Sequence, residues 1–135
     1  MKSQLRLIGM LLVLPMSAAL AEDCSSPQTQ LAMNQCAAES LNKSDAGLNR
    51  AYGQIKQRLK GDHDATNLLI VSQRSWVTFR DAECKFASVG VVTGSIYPMI
   101  FSSCLDRLTK ARTAELKIYL NCEEGDMGCP VPAAN

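Results

Sequence analysis

Six cysteines, at positions 24, 36, 84, 104, 122 and 129, all lie beyond an apolar N-terminal segment, and this arrangement limits the available folds more than any other feature. An even number of cysteines behind an export-type leader predicts disulfides formed in an oxidising compartment. The leader opens with Lys2 and Arg6, continues through the apolar run Leu7 to Leu14, and ends in Ala19-Leu20-Ala21, a small-x-small cleavage pattern. Residues 1–21 are therefore expected to be a signal peptide, with the mature chain starting at Glu22. A lipid anchor would need a cysteine directly after the cut, and Cys24 stands two residues too late. The chain is thus expected in the periplasm or outside the cell, with no stable membrane anchor after cleavage. Zinc is the competing use of the cysteines, but there is no Cys-x-x-Cys pair and His63 is the only histidine, so no metal or other cofactor is expected.

The remaining length, about 114 of the 135 residues, suits one domain with one core. Losing Lys2 and Arg6 leaves 12 basic against 13 acidic residues, so the formal charge moves from +1 to −1. That balance gives no long-range field and argues against nucleic acid as a partner.

Apolar or small residues at Met33, Cys36, Ala37, Leu41, Leu48, Ala51, Tyr52, Ile55 and Leu59 recur at three-and-four spacing and predict a long helix over 29–60. Ser26-Pro27 or Thr29 can start it, and Gly61 followed by Asp62 ends it. Gly47 and Gly53 within it hint at a bend or a close helix crossing. Asp64 is the expected cap of a second helix, whose inward stripe would be Leu68, Leu69, Ser72, Ser75, Trp76, Phe79, Ala82 and Phe86. That helix should stop before Gly90, where Thr93, Gly94 and Ser95 form turns and Val89, Val91 and Val92 could briefly extend. Pro98 fits the first turn of a third helix, with Ile100, Phe101, Cys104, Leu105, Leu108, Leu116 and Tyr119 inward. The short link between the first two helices predicts that they pack antiparallel, with the third returning after a longer loop. The fold class is all-α: a disulfide-stapled antiparallel three-helix bundle over residues 22–122, followed by a flexible, acidic, proline-containing tail over 123–135.

In such a bundle Cys84 and Cys104 flank one loop, Cys24 folds back onto Cys36, and Cys122 closes on Cys129. The second arrangement, Cys24 with Cys104 and Cys36 with Cys84, stays open because all four lie at one end.

Taken in order, Cys24, Thr29-Gln30, Met33-Asn34 with Cys36, Leu48-Asn49 with Tyr52, Gln73-Arg74 with Trp76, Phe79-Arg80-Asp81-Ala82 with Cys84, Gly94-Ser95 with Pro98-Met99, Cys104-Leu105, and Leu108-Thr109 with Arg112 resemble the LprI-type lysozyme-inhibitor domain family. The resemblance runs from Cys24 to about Leu120. It implies a small exported helical domain of bacterial origin, and it attaches lysozyme inhibition to the family's name-giving member. That member is a lipoprotein, so anchoring is not carried over; Cys122 and Cys129 also fall outside the pattern. Fold transfers across such a likeness more securely than activity.

Trp76 and Phe79 read as core residues. Arg80 and Asp81 read as structural fasteners which, as helix neighbours, diverge rather than pair, Asp81 reaching Arg74 or a backbone amide. No Gly-x-Ser-x-Gly, His-Glu-x-x-His or phosphate-loop motif is present, so an enzyme is not expected. Binding is expected at Thr93, Gly94, Ser95 and Tyr97, a loop that the Cys84–Cys104 staple would hold ready. Thr93-Gly94-Ser95-Ile96-Tyr97 resembles the Ser-Gly-x-x-Tyr inhibitory element of other lysozyme-inhibitor families, with threonine in place of the first serine. The function expected is inhibition of a peptidoglycan-cleaving lysozyme by insertion of loop 90–97 into its cleft. The alternative is a non-inhibitory structural or adaptor module of the envelope that binds another protein through the basic stripe Lys43, Arg50, Lys56, Lys60 or the acidic tail.

Overall fold

The computed structural model describes residues 23–134; the expected signal peptide and its cleavage point lie outside them. Three helices make up the described chain: α1 over Gln30–Arg58, α2 over His63–Ala87 and α3 over Tyr97–Leu120. Thr29 starts α1 from an extended conformation, its hydroxyl accepting from the Ala32 amide at 3.1 Å. The exit needs Gly61, whose φ of +103° lies in the left-handed region that glycine enters without penalty. Asp62, not Asp64, caps α2: its carboxylate accepts from the Ala65 amide at 2.9 Å. Asp64 sits within the first turn, where a negative charge complements the helix dipole. Pro98 occupies the first turn of α3. The valines between α2 and α3 do not extend: Val89–Val91 form a single turn of 3-10 helix.

Side-chain pairs fix the directions. Along α1, Asn34 reaches Ser95, Ser40 reaches Asp106 and Arg58 reaches Leu120, so α1 and α3 run parallel. Along α2, Ser72 meets Arg112, Arg80 meets Thr109 and Cys84 joins Cys104, a falling order that makes α2 antiparallel to α3. The principal packing is α1 against α3 rather than α1 against α2. Leu48, Ala51, Ile55 and Leu59 meet Leu116, Cys122 and Val131 in the core. Ile55 and Leu116 are fully buried, and Val131 shows that residues beyond α3 reach back to the bundle.

Helix α2 departs from expectation. Only Cys84 on it is fully buried, while Ala65, Leu69 and Trp76 are partly buried against the core. Of the expected inward stripe, Leu68 is 71%, Phe79 55% and Phe86 75% exposed, so the apolar stripe splits between a bundle side and a solvent side. The helix carries two adjacent apolar strips, and periodicity alone does not say which one finds a partner.

Disulfides join Cys24 to Cys36, Cys84 to Cys104 and Cys122 to Cys129, with Cα separations of 5.5, 5.6 and 5.9 Å. The alternative pairing across the bundle end is excluded. Neither helical glycine marks a close crossing: a Cβ on Gly53 would meet nothing within 4 Å, and one on Gly47 would only brush the Arg50 guanidinium at 3.9 Å. Gly53→Ala is therefore expected to stabilise the protein by up to about 1 kcal/mol, seen as a raised midpoint in urea unfolding. An unchanged or lower midpoint would show that the glycine serves a purpose the packing does not reveal.

Candidate functional site

The polar centre of the bundle forms where the apolar series on two helices breaks. Between Leu41 and Leu48 the inward positions of α1 fall on Ser44 and Asp45, and between Leu108 and Leu116 those of α3 fall on Thr109 and Arg112. Arg80 enters this layer from α2. Its Nη1 donates to Asp45 Oδ1 at 3.0 Å and to Thr109 Oγ1 at 3.1 Å, and its Nε donates to Asp81 Oδ1 at 3.0 Å. The guanidinium also lies 5.3 Å from the Trp76 ring, a cation–π contact. One planar cation thus ties three helices, and it does pair with its sequence neighbour. The expected divergence of adjacent residues fails because Arg80 is long enough to fold its Nε back along its own helix. The sequence points to fastening at Arg80 but not to its two cross-bundle partners, for which the interrupted apolar spacing at Ser44-Asp45 and at Thr109 is the available signal.

A second arginine repeats the device. Arg112 on α3 reaches Ser72 at 3.1 Å and Gln73 at 3.3 Å, besides Glu115 on its own helix. Near the start of α3, Asp106 accepts from Lys110 and from Ser40. Burial by itself would raise the Asp106 carboxyl; the Lys110 ammonium and the Ser44 and Ser40 hydroxyls outweigh it and hold the group below the ordinary carboxylate range.

The loop between α2 and α3 is tied at both ends. Cys84–Cys104 closes its base, the Asn34 side chain donates to the Ser95 carbonyl at 3.0 Å, and the Tyr97 ring stacks on Phe101 at 5.5 Å. Gly94 is favoured by close approach: a Cβ there would sit 3.3 Å from the Val91 carbonyl oxygen, which would have to give by a few tenths of an ångström. Thr93, Gly94 and Ser95 are exposed, and Tyr97 is partly buried. No hydrogen bond joins the side-chain hydroxyls of Thr93, Ser95 or Tyr97 to another described residue. Neither Gly94 nor Ser95 caps α3 through a side chain; the cap position belongs to Ile96. The loop therefore presents donors on a fixed frame, flanked by exposed Val89 and Val92.

The charged elements lie elsewhere. Asp62, Glu123, Glu124 and Asp126 line one groove at the far end of the bundle, about 36 Å from the loop by the rise of the 24 residues of α3. The basic positions of α1 do not form one stripe: Lys43 shares a cleft with Lys110 and Lys117, whereas Lys56 and Lys60 flank His63 on another side. Between α1 and α2 runs an open groove of about 660 Å³ onto which Asn49, Tyr52, Lys56, Gln73 and Arg74 face. Among the described residues there is no cluster of three His, Cys, Asp or Glu able to hold a metal. No described helix is long and apolar enough to cross a membrane.

A family model described as "Lysozyme inhibitor LprI" matches residues 21–116, a span that contains the first two disulfides, the Arg80 centre and the loop, and leaves out Cys122 and Cys129. The chain is similar to "Uncharacterized protein R02472" of Rhizobium meliloti (strain 1021), with 34% identity over 113 residues that cover 76% of this chain and 81% of the relative. It is also similar to "Uncharacterized protein YecT" of Escherichia coli (strain K12), with 31% identity over 105 residues, 68% of this chain and 65% of that one. No solved structure matches.

Proposed function

The chain belongs to the lysozyme inhibitor LprI family, and from that membership we propose that it binds a peptidoglycan-cleaving lysozyme and blocks it with the loop at residues 90–97. Three disulfides and the family both fit a compartment outside the cytoplasm, the periplasm or the exterior, where such a lysozyme acts. The observation that carries the reading is that the match spans a loop stapled by Cys84–Cys104 and pinned by Asn34 to the start of α1. A glycosidase cleft holds two carboxyl groups some angstroms apart, and a blocking element must offer hydrogen-bond donors on a narrow, rigid turn. The hydroxyls of Thr93, Ser95 and Tyr97 supply donors, and the staple reduces the order lost on docking. Steering by opposite charge is not available at this loop, because the acidic groove is at the other end.

Titrating the oxidised protein into a lysozyme assay that follows the clearing of cell walls tests the reading. Inhibition is expected, and Ser95→Ala combined with Tyr97→Phe should weaken it about tenfold, the loss of one or two hydrogen bonds to charged acceptors. Both substitutions spare Gly94 and the Tyr97–Phe101 stack. Full lysis at a large molar excess of protein would defeat the inhibitor proposal. Undiminished potency of the double variant would move the contact off the loop, and a steep loss of potency with salt would then direct it to Glu123, Glu124 and Asp126.

A further inference from the structure

The solvent side of α2 has a regular pattern that the bundle uses at one position, Ser72, whose hydroxyl accepts from Arg112. Leu68, Ser72, Ser75, Phe79, Ala82 and Phe86 follow one another at alternating intervals of four and three, a heptad seam along most of the helix that Val89 continues into the 3-10 turn, and none of the seven is charged. Leu68, Phe79, Phe86 and Val89 on this seam are 71, 55, 75 and 62% exposed. The bundle leaves most of the seam free because α2 is fastened chiefly from its other side, by Arg80, by Gln73 accepting from Arg112 and by the Cys84–Cys104 bond; Ser72, at the edge of the seam, also accepts from Arg112. Val71, 60% exposed, widens the apolar strip on one flank.

We propose that this face is a self-association surface, on which two copies of the chain pair through an antiparallel α2–α2 contact. The seam is self-complementary under reversal. Centring it on residue 77 sets Leu68 against Phe86 of the second copy, Ser72 against Ala82 and Ser75 against Phe79. At the centre the large Phe79 thereby meets the small Ser75, which is what close interlocking of two helices needs, and the outer layers pair Leu68 with Phe86. The same register places Lys85 beside Val71 and Thr78 beside Thr78, so like charges do not meet along the solvent flank. A twofold contact of this kind is closed and uses one patch twice. The exposed parts of Leu68, Val71, Phe79 and Phe86 amount to roughly 500 Å² per copy, or about 1,000 Å² for the pair, the threshold that a specific interface has to clear. An uncovered patch of that size is at the upper limit of what monomers tolerate.

Because the two helices oppose each other, the two copies of loop 90–97 fall at opposite ends of the contact and stay open. Dimerisation is therefore independent of the inhibitor reading, and either can fail alone. Sedimentation velocity on the oxidised protein across a concentration series provides the test. A reversible dimer is expected, and Phe79→Glu should raise its dissociation constant at least thirtyfold while far-ultraviolet circular dichroism stays unchanged; Ala82→Arg should do the same from the facing position. Thr78→Cys, close to the proposed twofold axis, should give a covalent dimer with a short bismaleimide. A wild-type protein that remains monomeric at the highest attainable concentration overturns the proposal. So does a dimer that survives both substitutions, which would lie on another face, or binding of the α2 face to lipid vesicles by a chain that stays monomeric.

Discussion

Replacing Arg80 with alanine should lower the stability of the oxidised protein by about 2–3 kcal/mol, a fall of roughly 10 °C in the thermal midpoint for a chain of this size. The side chain is 14% exposed and donates to Asp45, Asp81 and Thr109 from three helices. Removing it leaves Thr109, fully buried, with a hydroxyl that loses its charged partner, and leaves two carboxylates without their cation. The cost falls short of the 3–5 kcal/mol seen for fully buried pairs because Asp45 and Asp81 are 40 and 44% exposed and water re-solvates them. Arg80→Lys should recover less than half of the loss. A single ammonium cannot serve the Nε partner and the Nη1 partners together, nor lie flat on Trp76. Chemical unfolding followed by Trp76 fluorescence gives the measurement. A change below about 0.5 kcal/mol for Arg80→Ala would reduce the three-helix tie to a surface ion pair.

Removing the Cys84–Cys104 bond by Cys84→Ala with Cys104→Ala should cost about 3 kcal/mol, the larger part of it through the unfolded chain. The bond closes a span of 20 residues, against 12 for Cys24–Cys36 and 7 for Cys122–Cys129, so loop-closure entropy ranks it first of the three. Burial adds to the effect, since Cys84 is the one fully buried residue of α2 and its loss removes packing where that helix has little. The three double variants compared in urea should lose stability in the order of their spans. A loss at Cys122–Cys129 as large as at Cys84–Cys104 would mean that packing of Val131 into the core, rather than chain closure, sets the scale.

These two effects share a cause. Helix α2 is joined to the bundle by a cation at Arg80, another at Arg112 and one disulfide more than by apolar burial, and its remaining apolar surface faces outward. A module built in this way can offer one face of α2 to a second copy and one loop to a target without disturbing the α1–α3 core.

Much of this was legible in the residues. The helix limits at Thr29, Gly61 and Pro98 follow from capping chemistry, left-handed glycine and the fixed φ of proline, all properties of one or two residues. Pairing of the nearest cysteines likewise came from their place along the helices. The family was recognisable from the order of its motifs, and the match over residues 21–116 bears that out. The cap at Asp62 rather than Asp64 was a choice between two competent residues two positions apart, and the turn at Gly61 settled it.

What the chain alone could not give was the assignment of faces. Leu69 with Trp76 and Leu68 with Phe79 lie on adjacent strips of α2, both apolar and both at helical spacing, and sequence has no term for which strip a distant helix will cover. That choice belongs to the pairing of α1 with α3, which leaves α2 room for one strip only, and to Arg80, whose partners Asp45 and Thr109 are 35 and 29 residues away. Local rules act over one or two turns, whereas burial and ion pairing depend on groups that meet only after the chain has closed.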